Sequence, residues 1–235
     1  MNTQEVLNEL ASLGTERTKK IYLSNGAKEP LFGVATGAMK PLFKQIKINH
    51  PLAEELYATG NYDAMYFAGM IADPHVMTKE DFNRWVQDAY FYMLSDFVVA
   101  VTLTESPLNQ EIATEWIDRE DALVQSAGWS CYCWSLGRWK AETFEPQHIA
   151  QLLSLAQERV HSSSPRVQVS IANFIHTVGL SYIPAHDLAL EVAKHVGSIH
   201  IERPNKKPQI LTPFDNIQKD IERGRIGFKR KYVRC

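Results

Sequence analysis

A single acidic residue interrupts an apolar stretch near the middle of the chain. Asp96 lies in the run 91–99, which is otherwise apolar apart from Ser95. If the run is helical, Tyr92 lies four residues before Asp96 and shares its face. A carboxylate beside an aromatic ring suits the binding of a cation. The alternative is structural, since Ser95 or Asp96 could be the N-cap of the helix that follows.

Other chemistry-bearing motifs are missing from the sequence. It has no phosphate-binding glycine loop, no metal cluster and no nucleophile motif, so we expect neither a metal nor a cofactor. Cys131, Cys133 and Cys235 have no His or Cys at zinc-like spacing, which indicates reduced thiols. Aromatic residues concentrate in the middle of the chain, where we expect most of them to fill the interhelical core. They are Tyr90, Phe91, Tyr92, Phe97, Trp116, Trp129, Tyr132, Trp134 and Trp139.

The C-terminal tail is basic although the whole chain is nearly neutral. The net charge is -2, yet residues 223–235 contain no acidic residue. The cations there are Arg223, Arg225, Lys229, Arg230, Lys231 and Arg234. Such a local excess of positive charge is typical of a nucleic-acid contact, and a solvated loop is the alternative.

The bulk composition excludes several protein classes. With 235 residues, 45% hydrophobic and 22% charged, the chain can bury a substantial core. The N-terminal residues 1–13 lack the basic flank and apolar run of a secretory signal. No uncharged apolar stretch approaches the ~20 residues of a membrane-spanning helix. We therefore expect a cytoplasmic protein that has no membrane partner.

Apolar residues recur at spacings of three and four, which predicts an all-α protein. Gly, Pro and Ser/Asp/Asn groups divide the pattern into successive amphipathic helices. The predicted helices are residues 3–13, 16–23, 36–46, 52–58, 62–72, 78–89, 95–104, 108–118, 121–136, 146–161, 165–178, 185–196 and 214–223. Near the C-terminus, residues 198–202 and 209–212 are predicted to form a small hairpin with a turn at 206–208.

Helices that pair through short connections favour a HEAT-like α-α superhelix, or solenoid, with degenerate repeats of roughly 35 to 45 residues. A non-repeating helical bundle is the alternative. We predict a helical repeat domain over residues 1–197. Residues 198–235 would add a hairpin, a short helix and the basic tail, all packed on the same domain.

Several sequence segments resemble the HEAT-like DNA alkylation repair family, which includes the AlkD-like DNA glycosylases. The stretch 31–37, followed by Pro41-Leu42-Phe43-Lys44, is similar to an early helix of that family. Tyr92 with Asp96, the segment 123–129 and the segment 173–179 occur in the family's order and spacing, and the tail 224–231 resembles the basic ending of one branch. The resemblance covers roughly residues 30 to 235.

The resemblance implies an expected site. Members of the family hold duplex DNA in a basic groove and release cationic alkylated purines, with an aspartate and aromatic rings beside the lesion's sugar. Asp96 would be the catalytic aspartate. Tyr92 and Phe174 would be the site aromatics, at positions where active members have tryptophan. Ser126 falls where the family places a DNA-binding arginine. These departures leave only the carboxylate unchanged.

Three functions remain open at this point. The chain could be a DNA glycosylase for cationic alkylated purines, acting as a monomer on alkylated double-stranded DNA. It could be a non-catalytic DNA-binding relative that keeps the scaffold and the basic tail. It could also be a protein-binding solenoid, since helical repeats serve many functions.

Overall fold

The structure, a computed structural model, describes residues 1–203 and 207–234. Within these ranges the regular secondary structure is helical apart from one small hairpin, which confirms the all-α prediction. Cys235 and Lys206, the first residue of the predicted hairpin turn, lie outside the described residues. No helix in the described ranges is both long and apolar enough to cross a membrane.

The chain divides into two compact units. The first consists of residues 1–109 together with Arg234, and the second of residues 110–233. The domain boundary predicted at residue 197 therefore falls inside the second unit. The helices of the first unit are α1 (Thr3–Leu13), α2 (Glu16–Ser24), α3 (Lys40–Ile46), α4 (His50–Tyr57), α5 (Tyr62–Ile71), α6 (Lys79–Asp88), α7 (Tyr92–Leu94) and α8 (Ala100–Thr104).

The second unit contains the longer helices and the hairpin. Its helices are α9 (Asn109–Ile117), α10 (Ala122–Leu136), α11 (Pro146–Arg159), α12 (Pro165–Ser181), α13 (His186–Val196) and α14 (Pro213–Glu222). Strands β1 (Ile199–Ile201) and β2 (Gln209–Leu211) pair antiparallel, with Ile199 opposite Leu211. The predicted hairpin is thus confirmed in its strands.

Local capping explains many helix starts. Asn61 accepts hydrogen bonds from the first backbone N–H groups of α5, and Asp121 does so for α10. Thr78 and Asp81 form a capping box at the start of α6, as the sequence predicted. Each cap pairs amide groups that a helix cannot satisfy within itself, so short polar residues fix where these helices begin.

The start of the helix predicted over residues 95–104 was wrong. Ser95 and Asp96 do not cap a helix, because the helix begins earlier, at Tyr92, with Phe91 as its N-cap residue. Residues Ser95–Val99 form a π-helical turn between α7 and α8. The segment 31–35, compared above to an early helix, is not helical either, and helical structure begins only at Thr36.

A buried carboxylate holds the non-helical segment 31–35 in the first unit. Asp63 Oδ2 accepts hydrogen bonds from the backbone N–H groups of Phe32 at 2.5 Å and Gly33 at 2.9 Å, and Oδ1 accepts from Val34 at 2.8 Å. Burial raises the pKa of Asp63, and the three donors, which favour the carboxylate, offset only part of that shift.

Gly33 is required at this point of the segment. Its φ is +79°, and a Cβ there would lie 2.5 Å from the backbone nitrogen of Lys19. Only glycine adopts this conformation without strain and leaves room for α2. The Asp63 contacts and Gly33 together fix the backbone path of residues 31–35 within the first unit.

We predict that Asp63→Ala lowers the free energy of unfolding by about 3 kcal/mol or more, because three backbone donors lose their acceptor. Asp63→Asn should cost less, since its amide oxygen can still accept. Urea unfolding followed by circular dichroism measures both. Asp88→Ala, at an exposed position of the same unit, is the control and should change stability by no more than ~0.5 kcal/mol. Equal stability of Asp63→Ala and the wild type would contradict the assignment.

Candidate nucleic-acid interface

Asp96 lies inside the π-helical turn and is almost wholly buried. Its exposed fraction is 1%. The hydroxyl of Ser95 donates a hydrogen bond to Asp96 Oδ1 at 2.7 Å. A buried carboxylate needs such partners, since an unpaired charge in a low-dielectric interior is costly. The turn therefore directs the carboxylate into the protein, where Ser95 satisfies part of its hydrogen-bonding capacity.

Tyr92, four residues before Asp96, is half-buried. Its ring lies edge-on to Phe91, with centroids 4.6 Å apart, and near Phe97 at 6.4 Å. Phe97 is 37% exposed. Tyr92 and Phe97 thus place aromatic surface at the edge of the first unit, whereas the carboxylate of Asp96 is enclosed.

Phe174 is a core residue of the second unit. Its exposed fraction is 0%. Its ring centroid lies 5.0 Å from that of Trp129 on α10 and 6.2 Å from that of Tyr132. Aromatic pairs at these distances stabilise the packing of α10 on α12. The ring therefore fills the contact between two helices rather than forming an open wall of a site.

Ser126 is equally buried, and an arginine from another helix reaches it. The Nε of Arg166, in the first turn of α12, donates a hydrogen bond to the Ser126 hydroxyl at 3.1 Å. Arg166 is only half-buried. The family resemblance assigns an arginine to position 126. This chain has a serine there, and that serine accepts a hydrogen bond from Arg166. Sequence spacing gave no sign of this pair, because its members are 40 residues apart.

The first two cations of the tail lie against one carboxylate. Asp220 Oδ1 is 3.5 Å from Arg223 and 3.1 Å from Arg225, and Oδ2 is 3.2 Å from Nε2 of His176. Both arginine side chains remain more than half exposed. Asp220 precedes the tail in sequence, so a count of residues 223–235 missed this counter-charge.

Further along the tail, three cations make structural contacts. Lys229 Nζ donates to the backbone carbonyl of Leu136 at 2.5 Å, and burial lowers the pKa of this lysine. The guanidinium of Arg230 lies 4.8 Å from the ring centroid of Trp134. In the first unit, Arg234 pairs with Glu105 at 2.6 Å. Lys231 is exposed and lies 5.3 Å from the ring of Tyr232.

The predicted site residues are therefore divided between the two units. Tyr92, Asp96 and Arg234 belong to the first, whereas Phe174, Ser126 and the tail cations up to Lys231 belong to the second. Three side chains, Asp96, Phe174 and Ser126, are enclosed by protein. Arg166 was missed by the sequence prediction, and it is the residue that brings a guanidinium to Ser126.

We predict that Phe174→Trp destabilises the protein by ~1–3 kcal/mol, because a larger ring cannot fit between Trp129 and Tyr132 without displacing them. Thermal unfolding measures the effect. Phe228→Trp is the matched control, since Phe228 is 56% exposed and should tolerate the larger ring within ~0.5 kcal/mol. Equal losses for the two variants would show that Phe174 is not specially confined.

Comparison with known proteins places the chain in a family. A sequence model described as DNA alkylation repair enzyme matches residues 4–206. The protein Lin0241 of Listeria innocua is 30% identical over 216 residues, which cover 90% of this chain and 93% of that protein. The protein Lmo0209 of Listeria monocytogenes is 27% identical over 218 residues, with coverage of 90% and 93%.

A solved structure is more similar still. It is 57% identical, covers 100% of both chains and superposes with a TM-score of 0.97. It is described as representing a new family of proteins related to the HEAT-like repeat DNA glycosylases, with affinity for branched DNA structures. The predicted fold class, a HEAT-like helical repeat with a short C-terminal hairpin, is confirmed by this likeness. The chain belongs to the DNA alkylation repair enzyme family.

Proposed function

We propose that this chain is a DNA-binding member of its family that recognises branched DNA and does not release bases. The observation that carries the proposal is the burial of Asp96 and Phe174, whose exposed fractions are 1% and 0%. A group that stabilises a cationic sugar must lie beside that sugar, and an enclosed carboxylate cannot. The affinity for branched DNA stated for the 57% identical structure supports the choice of ligand.

Phosphate contacts from exposed cations would supply most of the affinity. Lys231 is exposed, and the side chain of Arg225 is 58% exposed beside Asp220. Ammonium and guanidinium groups at the surface give charge-assisted hydrogen bonds to phosphate oxygens. Such contacts do not depend on base sequence, so the shape of the DNA and its phosphate density would decide selectivity.

Lys229, Arg230 and Arg234 are less suited to this role. Lys229 and Arg234 are half-buried against the Leu136 carbonyl and Glu105, and the guanidinium of Arg230 lies over the Trp134 ring. Deleting residues 224–235 would therefore remove packing together with charge. A single substitution at the exposed Lys231 separates DNA binding from stability better than the deletion does.

We expect the protein to bind a four-way junction more tightly than a linear duplex of the same strand length. Mobility-shift titrations at about 50 mM and about 200 mM salt should show a steep loss of affinity with salt. Lys231→Gln, which removes an exposed cation of the tail, should weaken junction binding and reduce the salt slope by about one. Arg119→Gln, which removes an exposed arginine elsewhere on the second unit, is the control.

Salt-independent affinity, or no affinity for either DNA, would overturn the proposal. If the protein binds a peptide or another protein but shows no affinity for DNA, the protein-binding alternative is favoured. Equal affinities for the junction and the linear duplex would remove the preference for branches but leave DNA binding in place.

We expect no enzymatic release of N3- or N7-alkylated purines from duplex DNA above the spontaneous rate. The reason is that neither Asp96 nor Phe174 can contact the lesion without unfolding its surroundings. Chromatographic detection of free methylated purine compares the wild type with Asp96→Asn, and Asp88→Asn in the same unit is the matched control. Robust release that Asp96→Asn alone abolishes would restore the glycosylase function.

A further inference from the structure

The second unit contains a polar pocket that shares one residue, Arg223, with the predicted site. Its volume is about 270 Å³, and it is formed by α12, the end of β2 and α14. Three apolar residues form part of its wall, and its polar lining consists of Asn173, His176, Asn216, Lys219, Asp220 and Arg223. Since one water molecule has a share of about 30 Å³ in the liquid, the pocket has room for a small polar ligand.

Positive charge exceeds negative charge around the pocket. Lys219 and Arg223 line it with one carboxylate, Asp220, and that carboxylate already has close partners. Its Oδ1 is 3.1 Å from Arg225 and 3.5 Å from Arg223, and its Oδ2 is 3.2 Å from His176. Because Asp220 is engaged with these groups, it fixes their positions while the net charge stays positive. An anion is therefore the ligand that this charge distribution favours.

His176 links the two helices that form the pocket. Its ring on α12 contacts Asp220 on α14 through Nε2 and also interacts with the backbone of Asn216. Burial nevertheless lowers the pKa of His176, although both contacts and the charge of Asp220 act to raise it. An anion held nearby would favour the protonated ring and so oppose the effect of burial, and the ring therefore reports on occupancy of the pocket.

The lining also offers donors of the right kind and number. Lysine and arginine give charge-assisted hydrogen bonds to phosphate oxygens, and an arginine can give two of them in parallel. The side-chain amides of Asn173 and Asn216 add neutral donors from the two helices. A tetrahedral group with several acceptor oxygens can use donors that approach from different helices, whereas a cation would meet repulsion here.

We propose that this pocket is a phosphate-binding site, with Lys219 and Arg223 as the charged contacts and Asn173 and Asn216 as additional donors. The inference deepens the proposed function and rests on it for the source of the phosphate, a strand of branched DNA. A free phosphate or a mononucleotide has the same chemistry, and the experiment separates these sources.

The first test titrates the wild-type protein with inorganic phosphate and follows the His176 ring resonances by NMR. We expect a saturable shift, with affinity at least tenfold weaker in the variant Lys219→Gln/Arg223→Gln. The control Arg119→Gln/Lys140→Gln removes two exposed cations of the same unit and should bind like the wild type. A ring that does not respond, or an equal response in both double variants, would overturn the site. Circular dichroism verifies that both variants fold.

The second test measures junction binding by the same proteins. If DNA supplies the phosphate, Lys219→Gln/Arg223→Gln should bind the junction at least tenfold more weakly than the control, and the junction should shift the His176 ring. Loss of the inorganic-phosphate response with junction affinity unchanged would confirm the pocket but refute DNA as its source. A wild type that binds phosphate at His176 but no DNA would refute the proposed function alone. A wild type that binds DNA while His176 ignores every anion would refute the pocket alone.

Discussion

A polar group taken out of water must find its hydrogen-bond partner inside the protein, and the rest of this structure depends on how that requirement is met. Asp63 meets it with three backbone amides and thereby fixes the non-helical segment 31–35. Asp96 meets part of it through Ser95 in a π-helical turn. Both carboxylates lie where an unpaired charge would cost several kcal/mol. Each is therefore held by its surroundings, which leaves little freedom to serve an external ligand.

The same requirement distinguishes the cations of the tail that pair with protein groups from those that remain exposed. Arg234 and Lys229 direct their charge to a carboxylate and a backbone carbonyl of the protein. Lys231 remains exposed, and there a polyanion competes with water, whereas at Arg225 it also competes with Asp220. A count of positive charges treats all of these residues alike. Their contacts show that charge density alone does not define an interface.

The family resemblance predicted the fold better than it predicted the surroundings of the site residues. The positions of Phe174 and Ser126 match the family's order, yet both side chains are buried in the second unit. At Ser126 an arginine is still present, but it comes from Arg166 on another helix. A scaffold of packed helices tolerates the replacement of single site residues. Its stability depends on apolar faces of the right shape and volume rather than on the identity of those residues.

The sequence by itself determined the helical class, most helix limits and the hairpin strands. These depend on local interactions, such as apolar periodicity and the caps at Asn61, Thr78 and Asp121, which operate within a few residues. Only the tertiary structure decided the character of the candidate site. Asp96 looked the same in sequence whether it capped a helix or lay inside one. The contacts of Arg166 with Ser126 and of His176 with Asp220 join residues 40 and 44 positions apart. No local pattern encodes such pairs, because they form only when helices distant in sequence pack together and exclude water between them.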